Sequence, residues 1–393
     1  MCGGELRSIY LLLLILPNMS FSVFLKTSLN EYFKCLSLPD NLTVIHYVLG
    51  NESADLDSVI SSLMYAYLLY ENHSRQELYL PLINIKREEL NTHKDLLYLL
   101  QLAKISTNHL LFLEEAPFSY LFSRRQLRLN LVDHHILRID QQIFSAAVES
   151  IIDHHFPEPI NYPLLSPASL LIEPVGSTAT LIAEKLFAHP TINITPKIAT
   201  LLLAPILVDT HNLKSIDKTT WRDIKIAEKL LQVAAGALPS NFYDILQVEK
   251  NNISLLSPLQ LLNKDFKSYL AGNFFYGISS LPQGVDWWQQ ERQSLLPLLN
   301  TYVQEKKLSL LILFMSPINP IGPKRRIIVY TPSPLILESF KFYVEKDVIL
   351  KKLLMPSSLR HQCLAYYEIE SFIARKHLQP YFHFLKNLAN LSW

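Results

Sequence analysis

Residues 127–135 read LRLNLVDHH and residues 148–155 read VESIIDHH. In each, a short apolar run with β-branched residues ends directly on Asp-His-His. The two aspartates, Asp133 and Asp153, are twenty positions apart (153 minus 133). Runs of this kind read as buried strands. A strand ending in carboxylate and imidazole groups sets them at its carboxyl end. In an open parallel sheet, that end borders the crevice where ligands bind. Two further segments follow the same logic. VIHYVLGNESADLDS, residues 44–58, is a strand that stops at Gly50 and is followed by Asp55 and Asp57. LLLAPILVDTHN, residues 201–212, is a longer apolar segment that delivers Asp209.

Around these segments the first half alternates strand and helix. Strands are predicted at 42–49, 78–85, 109–113, 127–132, 150–152 and 170–175, and helices at 58–70, 95–104, 177–188, 198–208 and 219–234. This alternation predicts an α/β domain with a mainly parallel sheet over 41–234. The small, turn-prone stretch at 235–241 reads as a linker. From 242 to 393 a smaller α/β domain is expected, helical to about Tyr269. Strands are then expected at 274–280, 308–314 and 326–331, with helices at 287–304, after Pro334 and, as an amphipathic tail, at 374–389. A cleft between the two domains would hold the active site.

The chain has 393 residues, 49% of them apolar, 18% charged, and a net charge of +1. It can bury a large core, and it lacks the basic excess of a protein that lives on nucleic acid. Cys2, Cys35 and Cys363 are scattered and odd in number, which excludes a disulfide framework and fits a reducing compartment. Residues 1–40 read as an N-terminal extension. The uncharged stretch from Ser8 to Leu25 resembles a signal peptide or short anchor, but Pro17 and Asn18 break it and no clear cleavage site follows. The sequon Asn51-Glu52-Ser53 lies inside the candidate site, where a glycan would block it. A cytoplasmic location without membrane association is therefore expected.

Several carboxylates share a crevice in ionised form only when cations neutralise them. Oxygen and imidazole donors without thiolate suit Mn, Mg, Fe, Co or Zn. A pair of such ions clamps a phosphate and activates water. Each fragment alone has a plainer explanation. Asp-x-Asp after a strand caps the next helix, and Asp-His-His suits an exposed turn. Two such tripeptides after β-branched runs, with Asp-x-Asp upstream, meet the cluster criterion for a metal site.

GNESADLDS, LVDHH, IIDHH, EPVGSTAT and the final LVDT resemble, in order and spacing, the motifs of the DHH phosphoesterases. The resemblance is strongest to the prune-type exopolyphosphatases and spans about Val44 to Ala389. It implies two divalent cations, Mn or Mg, with Asp55, Asp57, Asp133, His154 and Asp209 as ligands and Asp133 bridging the pair. It also implies a catalytic contact from His155 to the substrate phosphate. Asn51 stands where the related family II pyrophosphatases have a histidine, and is carried as a less certain oxygen ligand. In the second domain Lys267, within Asp265-Phe266-Lys267, and Arg325 or Arg326, within Lys324-Arg325-Arg326, are the implied phosphate contacts. Read without the family, that basic run is an edge strand guarding against aggregation.

The implied activity is removal of terminal phosphate from short-chain inorganic polyphosphate, with polyphosphate or pyrophosphate as the partner molecule. Two other readings stay open. The same metals would serve a cyclic-nucleotide phosphodiesterase or an inorganic pyrophosphatase. The fold would also suit a non-catalytic regulatory or scaffold protein. Trp287-Trp288 reads as packing, and Gly176-Ser177-Thr178 as either a helix cap or an anion site.

Overall fold

The computed structural model describes residues 19–38, 41–72, 77–281, 292–315, 324–356, 362–370, 373 and 375–391. Within it, β1 (Ile45–Leu49), β2 (Leu78–Ile83), β3 (Leu111–Phe112), β4 (Leu127–Val132), β5 (Val148–Asp153) and β6 (Leu170–Ile172) form one sheet. Their spatial order is β3-β2-β1-β4-β5-β6, and every pairing is parallel. The chain builds outward from β1 to β3, then returns to the other side of β1 for β4. The order therefore reverses between β1 and β4, and the crevice of a doubly wound sheet opens at that switch point. The loop after β1 carries Asn51 to Asp55, and the turn after β4 begins at Asp133.

Helices cover both faces: α1 (Phe21–Ser37), α2 (Leu56–Asn72), α3 (Lys94–Leu102), α4 (Phe118–Ser123), α5 (Thr178–Ala188), α6 (Pro196–Asp209) and α7 (Trp221–Ala234). α2 is buried from Leu56 to Leu69, and α6 from Ile198 to Val208. α6 is apolar almost all round, as an enclosed helix is, whereas α2 also buries Asp57, Ser58, Ser61 and Ser62. α8 (Phe242–Lys250) packs on α3 and α6 and adds Phe242 and Leu246 to the first core.

α9 (Pro258–Lys264) leads into a second sheet, ordered β11-β12-β10-β9-β8-β7. Its strands are β7 (Phe266–Ala271), β8 (Phe274–Leu281), β9 (Leu310–Met315), β10 (Lys324–Tyr330), β11 (Met355–Pro356) and β12 (Leu364–Glu370). Only β8 with β9 is parallel among the described pairings. Along β9, Leu310, Ile312 and Phe314 enter one core while Leu311, Leu313 and Met315 enter another. The sheet is thus covered on both faces, by α10 (Arg292–Glu305), α11 (Pro334–Lys346), α12 (Val348–Leu353) and the tail.

Several expectations change. Residues 21–37, set apart as an extension, form α1. It buries Phe21, Phe24, Leu25, Leu29 and Tyr32 in the cores on both sides of the first sheet. The strand expected at 109–113 shrinks to two residues flanked by 3-10 turns. Helix was expected up to Tyr269, but the chain turns into β7 at Phe266. β7 and β8 form a hairpin around Gly272, whose φ of +59° favours glycine. β12 was not foreseen. The tail is a single turn, α13 (Arg375–Leu378), followed by 3-10 structure, because Pro380 has no N–H to continue the α-helical ladder. The apolar run in residues 1–18 and Trp287-Trp288 lie outside the described residues. No helix among the described residues is long and apolar enough to cross a membrane.

Candidate active site

Asp133 directly follows β4 with φ at +60°, a left-handed conformation that costs a non-glycine residue roughly 1–2 kcal/mol. Its own N–H still donates to the Ile152 carbonyl (3.0 Å), so pairing with β5 carries through the bend. The carboxylate is 2% exposed. The Asn51 side-chain amide donates to it at 2.6 Å, and the Asn51 oxygen is taken by the Ser53 N–H (2.9 Å) and hydroxyl (2.7 Å). Asn51 thus turns nitrogen, not oxygen, towards Asp133. In the arrangement seen it orients that carboxylate rather than offering a ligand atom of its own.

Asp57 belongs to the first turn of α2, yet its carboxylate is held by α5. The N–H groups of Thr178 (2.7 Å) and Ala179 (2.9 Å) donate to it, with the Ser61 hydroxyl (3.1 Å). Free N–H groups at a helix start bind anions. Gly176-Ser177-Thr178 is therefore both things the sequence allowed: Ser177 caps α5, and the anion bound there is the protein's own Asp57. Gly176 lets the loop before α5 pack closely on its neighbours, since a Cβ there would lie 2.4 Å from Thr210 and 3.1 Å from Asp223. Asp55 accepts the Ser58 N–H (3.0 Å) and caps α2.

His154 lies with Nδ1 2.9 Å from the Val175 carbonyl and Nε2 3.4 Å from Asp133 and 3.9 Å from Asp57. The carbonyl fixes the proton on Nδ1, which leaves Nε2 directed at the carboxylates. This is how a metal-binding histidine is held. Burial alone would lower its pKa; the Asp133 hydrogen bond and the charges of Asp57, Asp133 and Asp153 outweigh it and carry the imidazole up to about 10. Asp133 is raised well above the usual carboxylate range by burial and by Asp57 and Asp55. Burial and Asp57 lift Asp209, the last residue of α6, to about 7, with Asp55 adding to the rise and Lys250 and His154 opposing it. Asp57 is raised too, chiefly by burial, with Asp55 contributing. These five residues therefore share one field. One potential ligand atom each from Asp133, His154 and His155 lies within 4.8 Å of the others.

Asp153 was overlooked in the sequence as a site residue, and it organises the histidines. Its Oδ1 accepts the backbone N–H of His154 (2.7 Å) and Nδ1–H of His155 (2.7 Å), and Oδ2 lies 2.5 Å from His135 Nδ1. His135 Nε2 accepts the Glu158 N–H (3.0 Å), so its proton must sit on Nδ1. These histidines hold the Asp153 carboxyl well below its ordinary range, against the upward push of burial. His155, by contrast, is lowered to about 4 by burial and stays neutral.

The second sheet supplies the cations. Lys267 sits on β7. Burial and Arg375 push its pKa down, and its electrostatic interactions with Tyr269, Asp133 and Asp55 outweigh them and raise it. Arg375, which the sequence reading missed, holds the Asp265 carbonyl (3.0 Å) and carboxylate (2.8 Å). Its only signal was an Arg-Lys pair opening the tail, which looks like any solvated helix start. Arg325 and Arg326 are neighbours on β10 and so face opposite sides. Arg326 is exposed. Arg325 is partly buried, its Nε without a hydrogen-bond partner among the described residues, and its charge reaches His211, two positions beyond Asp209.

A doubly wound sheet with acidic and imidazole groups at its switch point, faced by basic groups of a second sheet, defines a DHH-type phosphoesterase. The profile of the DHH family, N-terminal domain, matches residues 46–206, and that of the DHHA2 domain matches residues 244–383. Human exopolyphosphatase PRUNE1 is 32% identical over 343 residues, covering 86% of this chain and 74% of the relative. A Staphylococcus aureus protein assigned as a manganese-dependent inorganic pyrophosphatase is 33% identical over 152 residues, covering 38% of this chain and 48% of its own. A solved structure from Methanococcus jannaschii, assigned to the family II inorganic pyrophosphatases, shares the fold, with a TM-score of 0.62 at 21% identity over 87% of this chain and 99% of that one. The chain belongs to the prune-type exopolyphosphatase family of DHH hydrolases.

Proposed function

We propose that this chain removes the terminal phosphate of short-chain inorganic polyphosphate and releases orthophosphate. One observation carries the reading: the His154 imidazole, following β5, has its Nε2 3.4 Å from the Asp133 carboxylate just after β4 and 3.9 Å from the Asp57 carboxylate of α2, and the charges of Asp209 and Lys267 act on the same group. Residues 41–234 then form the metal-binding domain, 235–241 the linker and 242–393 the substrate domain.

The donor set fits two divalent cations, Mn or Mg. The fit rests on His154, whose Nε2 is aimed at Asp133 and Asp57 by the Val175 carbonyl, and on buried carboxylates whose mutual repulsion raises their pKa, a repulsion that cations would relieve. Asp55, Asp57, Asp133, His154 and Asp209 would hold the ions, Asp133 shared between them. Bound there, the ions supply charge neutralisation and lower the pKa of water. Everything else falls to side chains. Asn51 keeps the Asp133 carboxylate oriented. Asp153 fixes the proton of His155 on Nδ1, leaving Nε2 for the phosphoryl group. Lys267, with Arg375 beside it and Arg325 nearer His211, draws the polyanion in and neutralises charge that builds on it. The P–O bond of the terminal anhydride breaks, water supplies the new oxygen, and the shortened chain leaves.

Asn51, standing where the family II pyrophosphatases have a histidine, adds no imidazole to the metal set, which favours polyphosphate over pyrophosphate. A cytoplasmic setting is part of the proposal: the sequon asparagine is 3% exposed and fully engaged, so no glycan fits there. The test is phosphate release from pyrophosphate, tripolyphosphate, long polyphosphate and cyclic AMP with Mg or Mn. Fastest turnover of tripolyphosphate is expected. Turnover of cyclic AMP alone would replace the proposal with the phosphodiesterase reading, and binding of two metal equivalents without any turnover would replace it with a scaffold.

A further inference from the structure

Among the described residues β7 is the edge strand of the second sheet, paired on one side, with β8. An edge strand presents unpaired N–H groups. The Ser268 N–H points away from β8 and donates to the Glu52 carboxylate at 2.5 Å, and the Ser268 hydroxyl lies 3.0 and 2.9 Å from the two Glu52 oxygens. Glu52 stands in the loop after β1, next to Asn51, which holds Asp133. Ser268 stands next to Lys267, whose charge interacts with those of Asp133 and Asp55. One carboxylate therefore joins the two sheets at the point where the metal-binding loop meets the substrate-binding strand. Charge-assisted hydrogen bonds of this kind are short and directional.

We propose that Glu52 is a positioning residue: it clasps the edge strand through Ser268 and so sets the distance between Lys267 and the Asp133 cluster. The proposal rests on the phosphohydrolase reading for its kinetic consequences but not for its structural one. The role is geometric. A fixed Lys267 meets substrate phosphate in a productive place, and small misplacements of such a group lower rates up to about a hundredfold.

The test uses the full chain loaded with Mn. Glu52→Ala removes the clasp, Glu52→Gln keeps an acceptor oxygen, and Ser268→Ala keeps the backbone donor. Expected for Glu52→Ala are a fall of about tenfold or more in kcat/KM for tripolyphosphate, unchanged Mn stoichiometry, and a larger radius of gyration by small-angle scattering. Glu52→Gln and Ser268→Ala should recover part of the loss in that order of acceptor and donor retained. The scattering measurement needs no turnover, so it still decides the clasp if the wild-type chain proves inactive on polyphosphate. A Glu52→Ala protein that keeps wild-type dimensions overturns the clasp. So does a kcat/KM within twofold of wild type in an active enzyme. Should Glu52→Ala fail to fold, Ser268→Pro, which removes both the backbone donor and the hydroxyl from this edge strand, takes its place, and unchanged scattering and kinetics in that variant overturn the clasp.

Discussion

The side-chain amide of Asn51 donates to the Asp133 carboxylate at 2.6 Å, across 82 positions of sequence. Asn51 thereby acts on the residue proposed to bridge the two cations, and its effect should pass through that residue. Replacing Asn51 with Ala should lower phosphate release from tripolyphosphate about 10- to 100-fold and weaken Mn binding by a similar factor, as loss of a ligand's hydrogen-bond partner does. Titration calorimetry beside the phosphate assay checks both. Unchanged Mn affinity would separate Asn51 from the metal site.

Asp133→Ala removes the shared ligand itself. Turnover is expected to fall at least about a thousandfold, with fewer than two Mn bound per chain by elemental analysis. Near-normal turnover at saturating Mn would show that the bridge is elsewhere.

Asp153→Asn leaves the fold of β5 in place but removes an acceptor for the His135 and His155 N–H groups. The prediction is a loss of about 10- to 100-fold in kcat. Proton NMR should show the His155 and His135 N–H resonances moved or lost. The two must change together, because one carboxylate holds both rings.

Asp223, fully buried, accepts hydrogen bonds from the Gly176 N–H (2.9 Å), the Thr220 N–H (2.7 Å), and the hydroxyls of Thr180 (2.6 Å) and Thr220 (2.7 Å). It locks the loop that leads to α5, hence the cradle of Asp57. Asp223→Ala strands buried donors and should destabilise the chain by about 3 kcal/mol or more, lowering Tm by roughly 6–12 °C. Differential scanning calorimetry measures it.

Arg375 holds Asp265 below the ordinary carboxylate range, outweighing the upward push of burial. A depressed folded pKa gives stability that is present above the unfolded value of about 3.9 and is lost as pH falls through the folded one. The Asp265 side chain is 40% exposed, so the effect is small. Arg375→Met should lower Tm by about 2 °C at pH 7, with the gap to wild type closing between pH 5 and pH 3. A gap that stays constant with pH would assign the loss to packing rather than to the ion pair.

The sequence by itself determined the parallel sheet, the strand ends on which the acidic groups sit, and the ligand candidates. Period, β-branching and the residue just after a strand are local properties, and Asp133, Asp55 and Asp209 carry their chemistry in their own side chains. What Asn51, Asp153, Asp223 and Arg375 do was decided only by tertiary structure. Each works through a partner 18 to 110 positions away, or through a helix start or strand edge that exists only once the chain is folded. The amide of Asn51 is the same group whether it faces a cation or a carboxylate. Only the packing of the β1 loop against the end of β4 settles which.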